Sequence, residues 1–166
     1  MIYILDAYNV IHKIPALERT LDQNLRSSRD TLVELCRNFA ARRGDISEII
    51  LVFDGNSKFN DLPQEKMSKI RLIFSETGED ADEKIVQILE RLSEIRNKCV
   101  VSDDNFVRNH ARAYETSAMS VSEFERLINP KSKKPRNKPS ASDDFFLSPK
   151  AADEITKAYK KELGLG

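Results

Sequence analysis

Short apolar runs alternate with longer stretches of helical periodicity along most of this chain, and the runs give out at carboxylates. Ile49, Ile50, Leu51, Val52 and Phe53 form an unbroken β-branched and aromatic run that stops at Asp54-Gly55. No polar residue alternates within it, so it reads as a strand buried on both faces. A shorter run over 2–5 ends at Asp6, and Cys99, Val100, Val101 and Ser102 lead into Asp103-Asp104. The stretch 70–75 is a weaker strand, because Arg71 interrupts it. Between these runs the spacing changes. Leu25, Leu32, Leu35, Cys36, Phe39 and Ala40 predict an amphipathic helix over 25–43, which Gly44 stops. Ala81, Ile85, Ile88, Leu89, Leu92 and Ile95 form one stripe of a helix over 80–96, with acids in its first turn where the helix dipole favours them. A further helix over 105–113, an extended piece near 114–119 and a last helix through Ile128, capped by Ser120 or Ser122, complete the pattern.

Strand–helix alternation of this kind predicts an α/β fold with a mostly parallel sheet flanked by helices. Right-handed crossovers then bring all strand C-termini to one edge, where open α/β sheets bind their ligands. Asp6, Asp54, the acids at 79–82 and Asp103-Asp104 all converge there. Carboxylates gathered in one place repel each other, and a hard divalent cation is the usual remedy. The chain therefore reads first as a metal-dependent enzyme acting on a phosphate substrate.

Composition narrows the class. A length of 166 residues suits one domain with a substantial core, and 33% charged residues suit a soluble protein. No apolar run approaches the roughly 20 residues of a membrane helix. The N-terminus has no basic leader and reaches Asp6 too early for a signal peptide, so a cytoplasmic location is expected. Cys36 and Cys99 fall in apolar patterns and read as two buried thiols, with no Cys-x-x-Cys pair. Lys plus Arg and Asp plus Glu are both 27, for a net charge of +0. Bases are nevertheless concentrated in 26–43, 66–71, 108–112 and 131–138, which allows a basic rim around an acidic centre. There is no Gly-x-Gly-x-x-Gly among 5 glycines, so no dinucleotide or other small-molecule cofactor is expected. Tyr8 stands where a phospho-aspartyl phosphatase needs a second acid. A receiver domain would need an acidic pair after the first strand, which offers only Asp6. His12 and His110 are the only histidines, a poor supply for acid–base cleavage by a histidine pair.

After residue 129 the character changes. Residues 130–148 are basic and proline-punctuated and read as an extended linker, and 149–166 read as a helical tail opened by Ser148-Pro149. Lys133 and Lys134 in the linker suit electrostatic docking on RNA.

Individual roles follow from position. Asp6 can ligate a cation, and Asn9 can reach back over the same mouth. Glu79 and Asp82, three apart, share a helix face, while Asp80 serves as the helix cap. Asp54 is a substrate-positioning acid. Of Asp103 and Asp104, one is a ligand and the other a cap, with Asp103 favoured as ligand because it is nearer the strand. Arg108 and Arg112, four apart, would flank the mouth and contact phosphates, and Arg26 and Arg29 are further surface cations. Tyr8 is either a stacking platform for a base or part of the core.

Asp6-x-x-Asn9 after an N-terminal strand, Val52-Phe53-Asp54-Gly55, Gly78-Glu79-Asp80-Ala81-Asp82 opening a helix, and Val101-Ser102-Asp103-Asp104 together resemble the YacP-like NYN family of the PIN-like ribonuclease group. The resemblance covers residues 1–129. It implies a three-layer α/β/α sandwich and endoribonuclease activity dependent on Mg²⁺ or Mn²⁺. It places Asp6, Asp82 and Asp103 at the family's catalytic, metal-binding acids and Asn9 at its signature asparagine, with Glu79 and Asp104 as further metal ligands. Some relatives are similar to a ribosome-associated mRNA nuclease, so the resemblance implies RNA, mRNA in particular, and the ribosome as partners. The alternative from another class is a non-catalytic RNA- or ribosome-binding module.

Overall fold

The computed structural model describes residues 1–21, 24–55, 69–76 and 78–129. The chain divides into two units, Met1–Ser132 and Lys133–Gly166, and every described residue belongs to the first. The expected linker, helical tail, Lys133 and Lys134 lie outside the described residues.

Five strands form one sheet: β1 (Ile2–Asp6), β2 (Glu48–Phe53), β3 (Ile70–Phe74), β4 (Lys98–Val101) and β5 (Ser117–Met119). Their order is β3-β2-β1-β4-β5, and every pairing is parallel. The helices are α1 (Ala7–Lys13), α2 (Pro15–Leu21), α3 (Leu25–Ala41), α4 (Ala81–Arg91), α5 (Asn105–Ala113) and α6 (Val121–Ile128). No described helix is long and apolar enough to cross a membrane.

Strand side chains point alternately to the two faces, and this period builds three layers. Tyr3, Leu5, Ile49, Leu51 and Phe53 pack with α1, α2, α3 and α6 on one face. Ile2, Ile4, Ile50, Val52 and Val100 pack with α4 and α5 on the other. The first core is the larger and carries an edge-to-face aromatic set. Phe39 of α3 lies 5.7 Å from Tyr3 and 5.8 Å from Phe124 of α6, which locks both helices onto β1. Both cysteines are buried and free, as their apolar surroundings imply.

Two differences from the sequence pattern matter. Helices α1 and α2 occupy 7–21, where the sequence pattern predicts no element. Ala7, Val10, Ile11 and Ile14 carry the helical spacing there, and all are fully buried. Their run is short and abuts β1 without a linker, so periodicity alone does not separate them from the strand. Helix α4 also stops at Arg91 rather than 96, and Ile95 is 39% exposed instead of continuing the stripe. The chain must turn there to enter β4, and Lys98 Nζ satisfies the carbonyls of Ile95 and Ser93 at 2.7 and 3.4 Å.

The ends of β2 and β3 are pinned together. Gly55 N–H donates to Ser75 Oγ at 2.8 Å, and a Cβ at Gly55 would stand 1.7 Å from the Ser75 carbonyl oxygen. Only glycine allows that approach. Gly55→Ala is expected to lower the unfolding free energy by about 1–3 kcal/mol, the usual cost of overpacking, as measured by urea denaturation. An unchanged midpoint would show that the two strand ends separate freely.

Candidate active site

Strand β1 lies between β2 and β4, and the chain leaves it toward one layer and leaves β4 toward the other. This is the switch point of the sheet, where a crevice opens beyond the strand ends. Asp6 ends β1 and caps α1. It is 7% exposed, and its carboxylate accepts the Asn9 N–H at 3.2 Å and the Ser102 hydroxyl at 3.4 Å. Ser102, fully buried after β4, also accepts the Asp104 N–H at 3.0 Å. The Asn9 side-chain oxygen accepts the Asp103 N–H at 3.3 Å. The β1–α1 and β4–α5 junctions are thus tied together through Asp6, Asn9 and Ser102.

Asp54, just past β2, accepts the Ala81 N–H at 2.7 Å and so caps α4 from a distant part of the chain. Asp80 occupies the N-cap position, but its side chain makes no capping bond, so the capping role expected of Asp80 belongs to Asp54. Asp82 then projects from the first turn of α4. Asp6, Asp54, Asp80 and Asp82 line one cavity of about 330 Å³ together with Tyr8, Asn9, His12 and Lys13 of α1.

The carboxylates feel one another. Burial pushes the Asp6 carboxyl up to about 6, and the charges of Asp82 and Asp54 add to this against the Asn9 and Ser102 hydrogen bonds. Asp82 is also raised, first by burial and then by Asp104, Asp54 and Asp80. Five acids from four segments therefore share one field.

Other expected site residues are placed differently. Asp103 accepts the Val121 N–H at 3.1 Å, at the start of α6, and its other oxygen lies 4.0 Å from Lys13 Nζ. It does not line the cavity. Asp104, which was assigned the lesser role, caps α5 through the Phe106 and Val107 N–H groups and is the acid whose charge reaches Asp82. Glu79 accepts from the Glu76 N–H, Lys84 and Gln87. Burial raises its pKa, but these partners outweigh burial and hold the carboxyl below its ordinary value. It faces a neighbouring cavity bordered by Arg29 and Gly78. Arg108 lies within the field of Glu123 on α6, and Arg112 sits in the last turn of α5, so neither lines the cavity. Tyr8 borders both cavities, packs edge-on to Phe53 at 5.7 Å, and accepts hydrogen bonds from Arg29. Arg29 is 2% exposed and lies over the Tyr8, Phe53 and Phe74 rings, so it is a core cation rather than a surface one.

His12, Lys13 and Ser102 carry no site signal in the sequence pattern. The unassigned helix α1 explains the first two, since His12 and Lys13 reach the cavity only if 7–13 is helical. The Ser102 role depends on a register between β1 and β4 that no local pattern reveals.

The acids of the cavity offer anionic oxygens, which suit Mg²⁺ or Mn²⁺ rather than a soft metal. The Asp6 and Asp82 carboxyls are raised first by burial and then by the neighbouring acids. Among the described residues, no three acids, histidines or cysteines stand close enough to enclose an ion on their own. Water and substrate oxygens would complete any coordination shell, as Mg²⁺ prefers.

Asp6 holds its proton more tightly folded, at about 6, than unfolded, at its ordinary 3.8. Its ionisation therefore destabilises the fold as pH rises between those values, with a full cost of ~3 kcal/mol above 6 and none below 4. Asp6→Asn is expected to raise the unfolding free energy at pH 8 by about 1–3 kcal/mol in EDTA, with the gain vanishing at pH 4. Urea melts at the two pH values measure it, and an equal effect at both would assign the change to packing.

A family model described as the YacP-like NYN domain matches residues 3–164. Uncharacterized protein YacP of Bacillus subtilis (strain 168) is 24% identical over 110 residues, covering 66% of this chain and 64% of that protein. The match thus spans less than two thirds of that relative. A crystal structure of Rae1 (YacP) from Bacillus subtilis superposes with a TM-score of 0.66 at 18% identity, covering 99% of this chain and 84% of that one. A mutant form of Rae1 (YacP) gives 0.64 at 22% identity, covering 78% and 75%. At these identities the two structures establish a shared fold. The family match, which covers most of the chain, shows that it belongs to the YacP-like NYN domain family.

Proposed function

We propose that this chain is a divalent-metal-dependent endoribonuclease that cuts RNA phosphodiester bonds. One observation carries the proposal: Asp6, Asp54, Asp82 and Asp104, from four separate segments, share one electrostatic field at the switch point of a parallel sheet. Family membership supports it, since NYN domains resemble PIN-like nucleases. Asp6 and Asp82 are the acids proposed to hold the ion, with Asp104 in the place that strand proximity had suggested for Asp103. Such an ion, when bound, supplies a water of lowered pKa and neutralises charge on the phosphate.

The chain's own groups do the rest. The Asn9 N–H and the Ser102 hydroxyl orient the Asp6 carboxylate. Asp54 fixes the start of α4, and with it Asp82, relative to β2. His12 and Lys13 line the same cavity, and the Lys13 ammonium offers a cation to the phosphate oxygens. Asp103 holds the first turn of α6 and lies beside Lys13, which makes it a positioning residue in this scheme. Tyr8, held by Arg29, borders the path that a base next to the scissile bond would take. The linker residues Lys133 and Lys134 are proposed to dock on RNA, with residues 1–129 as the nuclease domain and mRNA at the ribosome as the finer substrate assignment.

Labelled single-stranded RNA incubated with Mn²⁺ or Mg²⁺ is expected to be cut internally. EDTA should abolish cutting, and Asp82→Asn should lower the rate roughly 100-fold or more while the fold persists. RNA held tightly but uncut would assign the chain to the binding-module alternative. In a separate measurement, millimolar Mn²⁺ should raise the melting temperature of the wild-type chain by mass action, about 2.7 kcal/mol at 100 times Kd, and should leave Asp6→Asn unmoved. An equal shift in both proteins would place the ion outside the carboxylate cavity.

A further inference from the structure

Helix α5, which starts at the strand-end edge where the carboxylates gather, has an unusual surface. Residues 105–113 contain Arg108, His110 and Arg112 and no acid. Val107 and Ala111 face the core. Arg108 follows Val107 by about 100° on the α6 flank, where Glu123 lies, so Phe106 and His110 occupy the opposite flank. Phe106 is 47% exposed, the one exposed phenyl or phenol ring among the described residues.

A single exposed apolar side chain needs no explanation by itself. This one is held in place. The His110 imidazole lies against the Phe106 ring with centroids 4.2 Å apart, and its Nδ1 donates to the Phe106 carbonyl oxygen at 2.9 Å. The Phe106 N–H donates to the Asp104 carboxylate at 2.7 Å, and the Asp104 charge acts on Asp82. The Asp104 N–H donates to Ser102 Oγ at 3.0 Å, and the Ser102 hydroxyl donates to Asp6 at 3.4 Å, so the ring stands on the first turn of α5 at the same strand-end edge of the sheet as Asp6, on a helix whose formal charges are all positive. A polyanion whose flat rings can unstack matches both properties. Stacking on an aromatic face tolerates any base and requires an unpaired one.

We propose that Phe106, backed by His110, is the stacking platform for an unpaired nucleobase of the strand whose phosphodiester reaches the carboxylate cavity. The proposal rests on the ribonuclease assignment for the strand's fate, but its contact concerns binding alone. Arg108 and Arg112 on the other flank of α5 lie along the course of the flanking backbone phosphates. The enzyme so built takes single-stranded RNA and discriminates against a continuous duplex.

The test uses the full chain in EDTA and a short single-stranded RNA carrying 2-aminopurine. Wild type should bind it and alter its fluorescence by stacking. Phe106→Ala should weaken binding roughly tenfold and abolish the fluorescence change, whereas Phe106→Trp should restore both. With Mg²⁺ present, Phe106→Ala should raise KM and leave kcat within about twofold. Affinity, fluorescence and KM equal to wild type in Phe106→Ala would overturn the platform while leaving the nuclease assignment standing. A wild type that stacks the base but never cuts RNA would sustain the platform and overturn the nuclease. A wild type that binds no RNA would overturn both.

Discussion

The structure turns on one buried carboxylate. Asp6 ends the central strand with only 7% of its surface in solvent, and burial opposes its charge. Two neutral donors, the Asn9 N–H and the Ser102 hydroxyl, partly compensate it, and they come from the two junctions that flank the switch point. The same two residues that soften the burial of Asp6 thus join β1–α1 to β4–α5. The compensation is incomplete by design of the fold, because two of the neighbours of Asp6 are themselves acids.

A second regularity explains how so many acids reach one place. Every helix needs acceptors for its first N–H groups, and a carboxylate there also meets the positive end of the dipole. Asp6 caps α1, Asp54 caps α4 from the end of β2, Asp104 caps α5, and Asp103 binds the first N–H of α6. In a parallel sheet those helix starts all lie beyond the strand C-termini. Capping and site building are then the same act, and only the acids not saturated by helix N–H groups remain free to face a ligand. Asp82 is such a residue, since its position in the first turn of α4 leaves its carboxylate toward the cavity.

Much of this was legible along the chain. The unbroken run at 49–53 appears as β2, and the boundaries of α5 and the Ser120 cap of α6 agree with the pattern, the latter reinforced by a reciprocal bond with Glu123. Acids at the ends of apolar runs pointed to the right edge of the sheet. The division of labour among them was not legible. Asp103 and Asp104 differ by one residue, and proximity to the strand favoured the first. The backbone turn after Ser102 instead sends Asp103 toward α6 and leaves Asp104 within reach of Asp82. Arg29 shows the same limit: its sequence neighbourhood is that of a surface cation, but three aromatic rings from β2, β3 and α1 close over it.

The sequence by itself determined the α/β class, the sheet's parallel character and the edge at which carboxylates gather, because these depend on periodicity and on which residue follows each apolar run. The tertiary structure decided which carboxylate oxygens are spent on helix N–H groups, which face the cavity, and that His12, Lys13 and Ser102 join them. Those outcomes depend on strand register and helix placement, which bring residues about 100 positions apart, such as Asp6 and Ser102, into contact. No local pattern of residue types encodes such a distance.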